Sequence, residues 1–157
     1  MTALPTGRRN AAALVLLSAA ILILEVLQTK IFAYTFDPLM VYLAVAVCML
    51  GLSGGATLVA LLPRAAGAAP GAVTAAAAAA GSIALLASHA VFSRYFPSIP
   101  EGNARGVLTL VALTAPYLAF GVAVALLLSA RGPSVGRAYA MNLAGSGLGC
   151  LAVFPLL

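Results

Sequence analysis

The chain has 157 residues, 64% of them hydrophobic and only 7% charged, with a mean hydropathy of +1.14. Soluble globular domains carry about 25% charged residues, so an ordinary soluble domain is excluded, and the length holds several membrane spans of about 20 apolar residues with no room for a folded soluble enzyme domain beside them. Eight Lys and Arg against three Asp and Glu give a formal charge of +5, but apart from Arg8-Arg9 the arginines stand singly between apolar runs, a pattern of topology-setting loop charge and not of a nucleic-acid surface.

Uninterrupted apolar length predicts five helices, at about 11–36, 38–62, 71–93, 107–130 and 137–157. The fold class is therefore an all-α polytopic transmembrane bundle occupying the whole of 1–157. In the first run, Arg8 and Arg9 precede an apolar stretch as they would in a signal peptide. The run continues past Glu25 to about Phe36 without a small-residue cleavage site, so it reads as an uncleaved anchor. Glu25 lies mid-run, where a carboxylate costs a few kcal/mol on insertion scales. Lys30 follows five positions later, about 140° around an ideal helix; it either snorkels toward the interface or bends toward Glu25 in a protein-lined cleft. Gln28 and Thr29 share the face of Glu25 and are placed to hydrogen-bond with it. Two readings stay open for this group: a polar site for a cation or proton, or a structural carboxylate paired across helices.

Asp37-Pro38 opens the second run as an N-cap followed by proline at the first helical position, and Pro63-Arg64 stops it. Gly51 and Gly55 stand at GxxxG spacing, which lets helix backbones approach closely. Cys48 here and Cys150 in the fifth run lack CxxC spacing and a neighbouring histidine, so they read as small buried thiols, with neither a disulfide nor a metal expected. Pro70-Gly71 precedes the third run, whose alanine tract from Ala75 to Ala80 is strongly helical but weakly lipophilic, so this helix is expected to be shielded by protein. His89, with Ser88 and Ser93 close by, reads as an interfacial hydrogen-bonder and not as a haem or metal ligand. Arg94 to Gly106 is the longest polar connection. Pro116 inside the fourth run deprives the carbonyl of Ala112 of its donor and predicts a kink.

The fifth run repeats the glycine spacing at Gly145 and Gly149. The stretch superficially resembles a dinucleotide loop, yet it has no preceding strand and lies within an apolar helix, so helix packing is the reading. Asn142, three residues earlier, is placed on the same contact, with its amide toward Glu25 or a second copy of the chain. The last residues, 151–157, carry no polar tail, which suggests a polypeptide that continues. Counting loop charge, Arg8, Arg9, Arg64, Arg131 and Arg137 fall on one side and Arg94 and Arg105 on the other, which puts the N-terminus in the cytoplasm.

Three stretches, Leu24 to Lys30 (LEVLQTK), Met49 to Ala56 (MLGLSGGA) and Tyr139 to Gly149 (YAMNLAGSGLG), resemble in that order the membrane part of bacterial spermidine-synthase-like integral membrane proteins. The resemblance implies a multi-pass location in the bacterial cytoplasmic (inner) membrane. It also implies that a soluble aminopropyltransferase-like domain of Rossmann-type fold follows the membrane region. The chain departs from the family at Lys30, where an arginine is usual, and at Asn142, where an acidic residue is frequent. The nucleotide-binding loop and acidic catalytic residues lie outside this sequence, so no catalytic residue carries over. The leading functional expectation is a membrane domain that anchors or scaffolds a larger assembly, partnered by the lipid bilayer and by further copies or other membrane subunits. Glu25, Lys30, Gln28 and Asn142 form its buried polar site, and no cofactor or metal is expected. Two alternatives stand beside it: a transporter or transport subunit using Glu25 as a proton or cation site, and an accessory subunit of a larger energy-converting membrane complex.

Overall fold

The computed structural model describes residues 6–35, 39–62, 70–95, 103–129 and 135–156. All of them except Leu62 are helical, with no strand among the described residues. Among the described residues five α-helices follow one another, α1 Thr6–Thr35, α2 Leu39–Leu61, α3 Pro70–Tyr95, α4 Asn103–Ser129 and α5 Val135–Val153, and a 3-10 turn, Phe154–Leu156, follows α5. In hydrocarbon an unsatisfied backbone group costs several kcal/mol, and a helix satisfies its own. Four of the helices, α1 to α4, are long and apolar enough to cross a membrane. Arg137, Asn142 and the glycines of α5 lower its hydropathy, and it does not join them by composition.

Helix limits differ from the apolar runs in an instructive direction. α1 begins at Thr6, ahead of the run, and α4 begins at Asn103, so the connection expected from Arg94 to Gly106 loses residues at both ends. Polar residues such as Arg8, Arg9 and Arg94 end the apolar run without ending the helix, because arginine is a good helix former. At the other end of the chain α5 stops at Val153, short of the expected 157. Pro155, which lacks an N–H and disfavours the α conformation before it, accounts for the switch to a 3-10 turn. Pro116 lies inside α4, which stays helical through it, and its side chain is fully buried. Asp37-Pro38, Pro63-Arg64 and Arg131 lie outside the described residues.

α4 is the centre of the bundle, with 44% of its span buried against 11% for α3. α2 and α3 pack on α4, while α1 pairs with α5 and also touches α2 and α4. The core has three parts. Ile21, Cys48, Tyr117 and Phe120 join α1, α2 and α4. Ala44, Val47 and Leu113 join α2 and α4, with Phe92 of α3 against them. Leu14, Leu127 and Ala138 join α1, α4 and α5.

The low burial of α3 corrects the expectation that protein shields the alanine helix. Ala75, Ala76, Ala79 and Ala80 are all exposed in this single chain, because α3 has one principal neighbour, α4. What that contact needs is Gly81: a Cβ there would lie 2.6 Å from Cε1 of Phe120. Leu16, Leu61, Leu86 and Leu151 are among many large apolar side chains left exposed, the surface a bilayer covers.

Candidate functional site: a polar cleft between two glycine-mediated helix pairs

The two GxxxG segments sit at two helix contacts. On α2, a Cβ on Gly51 would stand 2.6 Å from Cβ of Tyr117, and one on Gly55 would meet the Leu118 carbonyl and approach the Val122 nitrogen at 2.6 Å. α4 answers with Gly121, where a Cβ would strike the Leu52 carbonyl and lie 2.8 Å from Leu52 Cα. On α5, a Cβ on Gly145 would collide with the Val15 carbonyl, and one on Gly149 would come 2.6 Å from that of Ala19. Real Cβ atoms do not approach backbone so closely, so these positions admit glycine at this helix separation.

Order along the chain fixes the sense of each pair. Gly51 and Gly55 meet progressively later residues of α4, and Gly145 and Gly149 meet progressively later residues of α1, so both pairs are parallel. Gln28 against Tyr117 and Leu14 with Leu127 show that α1 and α4 run in opposite senses.

Between the pairs lies a half-open cleft of about 350 Å³. α1 contributes Ser18, Ile21, Leu22 and Glu25, a stripe at i, i+3, i+4 and i+7 that faces one way on a helix. α2 adds Leu52, α4 adds Val124 and Ala125, and α5 adds Asn142 and Ser146. Glu25 and Asn142 thus share one cleft. A second cavity of about 300 Å³, between α1, α3 and α4, is lined by Asn10 and Thr74 among apolar residues and holds no ionisable side chain.

Gln28 and Lys30 do not join this site. Gln28 is buried, and its Oε1 accepts a hydrogen bond from the Tyr117 hydroxyl at 2.6 Å. Cys48 of α2 packs against Tyr117 in the same buried cluster, so the one hydrogen bond joins α4 to α1 beside α2. Lys30 is exposed, and no ion pair connects it to Glu25 among the described residues. The 140° between their positions leads the two side chains to different surroundings. The Thr29 hydroxyl donates to the backbone carbonyl of Glu25 at 2.7 Å, leaving the carboxylate without it. Among the described residues no hydrogen bond or ion pair engages the half-buried Glu25 carboxyl. The other carboxylate residues, Asp37 and Glu101, lie outside the described residues.

Asn142 finds Ser18 and not Glu25. Ser18 Oγ lies 2.6 Å from Asn142 Oδ1 and 2.7 Å from the Leu14 carbonyl. One hydroxyl proton serves one of these acceptors fully; with the Asn142 amide turned, Nδ2 donates to Oγ while Oγ donates to Leu14, and both contacts are satisfied. Ser18 had no special signal in the sequence, being one serine in an apolar helix. Tyr117 had one, a hydroxyl next to Pro116 in an otherwise apolar run, but its partner was not readable.

His89 is exposed on α3, with Nδ1 3.0 Å from the Leu85 carbonyl, to which it donates when that nitrogen carries the proton. No cluster of His, Cys, Asp and Glu fit to hold a metal ion occurs among the described residues. Cys48 is buried, whereas Cys150 is exposed. The expectation of a small buried thiol at Cys150 is thereby corrected: one position past Gly149, it points away from the α1 contact.

No family model matches the sequence, and neither does any curated protein or solved structure.

Proposed function

We propose that the chain is a membrane-embedded helical domain that anchors and organises a larger assembly, akin to the membrane portion of a spermidine-synthase-like protein, with Glu25 at its polar site. The observation that carries this reading is the pair of parallel, glycine-mediated contacts, α2 on α4 and α1 on α5, which hold the bundle at close backbone distance around the Glu25 cleft. Such packing favours a rigid platform. The extensive exposed apolar surface supports an environment of lipid and of further membrane subunits.

The cytoplasmic placement of the N-terminus is supported by the helix directions. Arg8, Arg9 and Arg137 lie near the starts of the parallel helices α1 and α5, while Lys30 and Arg94 lie toward the ends of α1 and α3. A bacterial inner membrane is the location that goes with this reading.

The intact mass of the protein purified from its native membrane tests the family reading. A mass well above 15.7 kDa, with aminopropyl-transfer activity in the same polypeptide, is the expected result. A mass of 15.7 kDa and migration as a lone chain in mild detergent would defeat both the following domain and the assembly.

A second reading, a transporter or transport subunit, is favoured by one observation: Glu25 faces the cleft with no partner among the described residues. An intramembrane carboxylate so placed is a natural site for a proton or cation.

A further inference from the structure

The cleft has two chemically different ends and an apolar waist. Glu25 stands seven residues along α1 from Ser18, about 10 Å at the helical rise. Ile21 and Leu22 lie between them, facing Leu52 and Val124. Ser18, Asn142 and Ser146 form the uncharged polar end, and the carboxyl of Glu25 forms the charged one.

Among the described residues, the polar groups of α1 and α4 nearest Glu25 are committed elsewhere. Tyr117 donates to Gln28, Thr29 donates to the Glu25 backbone carbonyl, and Lys30 is exposed. Hard inorganic cations such as Ca²⁺ require six or more oxygens around them. Glu25 supplies two, and Ser18, to which Asn142 is hydrogen-bonded, stands about 10 Å along α1, too far to share one ion. An organic ammonium asks for less: one carboxylate for the head, and apolar wall for the body. A volume of about 350 Å³ is of small-ligand size, and exposed Met49 stands at the cleft's edge on the bundle surface.

We propose that this cleft binds an alkylammonium ion, its head at Glu25 and an aliphatic body of about six to eight carbons lying along Ile21, Leu22, Leu52 and Val124 toward Asn142, a length set by the ~10 Å between the two polar ends. The proposal rests on reading Glu25 as a binding site and not as a structural carboxylate. It adds the ligand's class and its orientation.

Thermal unfolding of the full chain in phosphatidylcholine nanodiscs tests it, followed by circular dichroism at constant ionic strength, with hexylammonium, hexan-1-ol and potassium as probes. Hexylammonium is expected to raise Tm saturably, with hexanol and potassium without effect. Glu25→Gln weakens the apparent affinity at least about tenfold, as loss of a hydrogen bond to a charged group does. Ala125→Phe, which fills the cleft from the opposite wall without touching the charge, weakens it as well. If hexanol protects as well as hexylammonium, the effect is partitioning and the proposal is overturned. If potassium protects equally and both effects vanish in Glu25→Gln, Glu25 is a cation site but the organic class is wrong. If wild type and Glu25→Gln respond alike to every cation, the reading of Glu25 as a binding site fails together with the proposal.

Discussion

Ser18 and Tyr117 show how single hydroxyls tie this bundle together. Each is buried, and each reaches a side chain on another helix, Asn142 on α5 and Gln28 on α1. Cross-helix hydrogen bonds in membrane proteins are individually modest, about 0.6 kcal/mol on average with a maximum near 1.7. Tyr117→Phe removes the donor but leaves the buried Gln28 oxygen, so about 1–3 kcal/mol of destabilisation is expected, read from chemical unfolding in mixed micelles. The double variant with Gln28→Leu, which removes both partners, is expected to recover most of that loss. At Glu25 the two obvious substitutions separate the readings. Glu25→Gln is expected to fold and to alter a cation-dependent property, whereas Glu25→Leu, which abolishes the polar character of the cleft, is expected to change assembly on native gels. Indifference to both removes Glu25 from the account. Glu25 was legible in the sequence because a carboxylate inside a long apolar run is costly. Its surroundings were not: Gln28 at i+3 shares a face with Glu25 on an isolated helix, yet the nearness of α4 draws it to Tyr117.

The two glycine segments behave as contacts between elements, and the structure supplies internal controls for them. Gly51 and Gly149 face backbone or Cβ atoms of a neighbouring helix, while Gly147, in the same segment as Gly149, has open space where a side chain would go. Gly51→Leu and Gly149→Leu are therefore expected to lower stability in detergent by at least the 1–3 kcal/mol typical of overpacking. Gly147→Leu is expected to be neutral or to stabilise by up to about 1 kcal/mol through helix propensity. Equal effects at all three positions would contradict the packing. The GxxxG spacing made Gly51, Gly55, Gly145 and Gly149 readable in advance. Gly121 and Gly81 were not readable, because each is a solitary glycine whose importance depends on what passes it, Leu52 and Phe120 respectively. The burial of α3 was misjudged for a related reason: alanine content says how closely a helix can be approached, and not whether a second helix is there to approach it.

For the whole molecule, five helical segments were legible from apolar length, and the polar turns extending them were not. The pairing also lay beyond the sequence. Of the two parallel pairs, α1 with α5 joins the two ends of the helix order and α2 with α4 skips one helix, and nothing in a one-dimensional pattern specifies which glycine segment meets which partner. That pairing makes the cleft, since Glu25 and Asn142 are 117 positions apart and share it only when α5 lies along α1. The cleft therefore depends most on the α1–α5 register. Its direct test is Ser18→Cys with Asn142→Cys, in a background where Cys48 and Cys150 are alanine, oxidised or treated with a short bifunctional thiol-reactive cross-linker in native membranes. A monomeric, internally cross-linked product is expected, and each single-cysteine control should give none. A product found only as a dimer, or no cross-link while both cysteines remain reactive to a small thiol reagent, would contradict the pairing and with it the cleft built around Glu25.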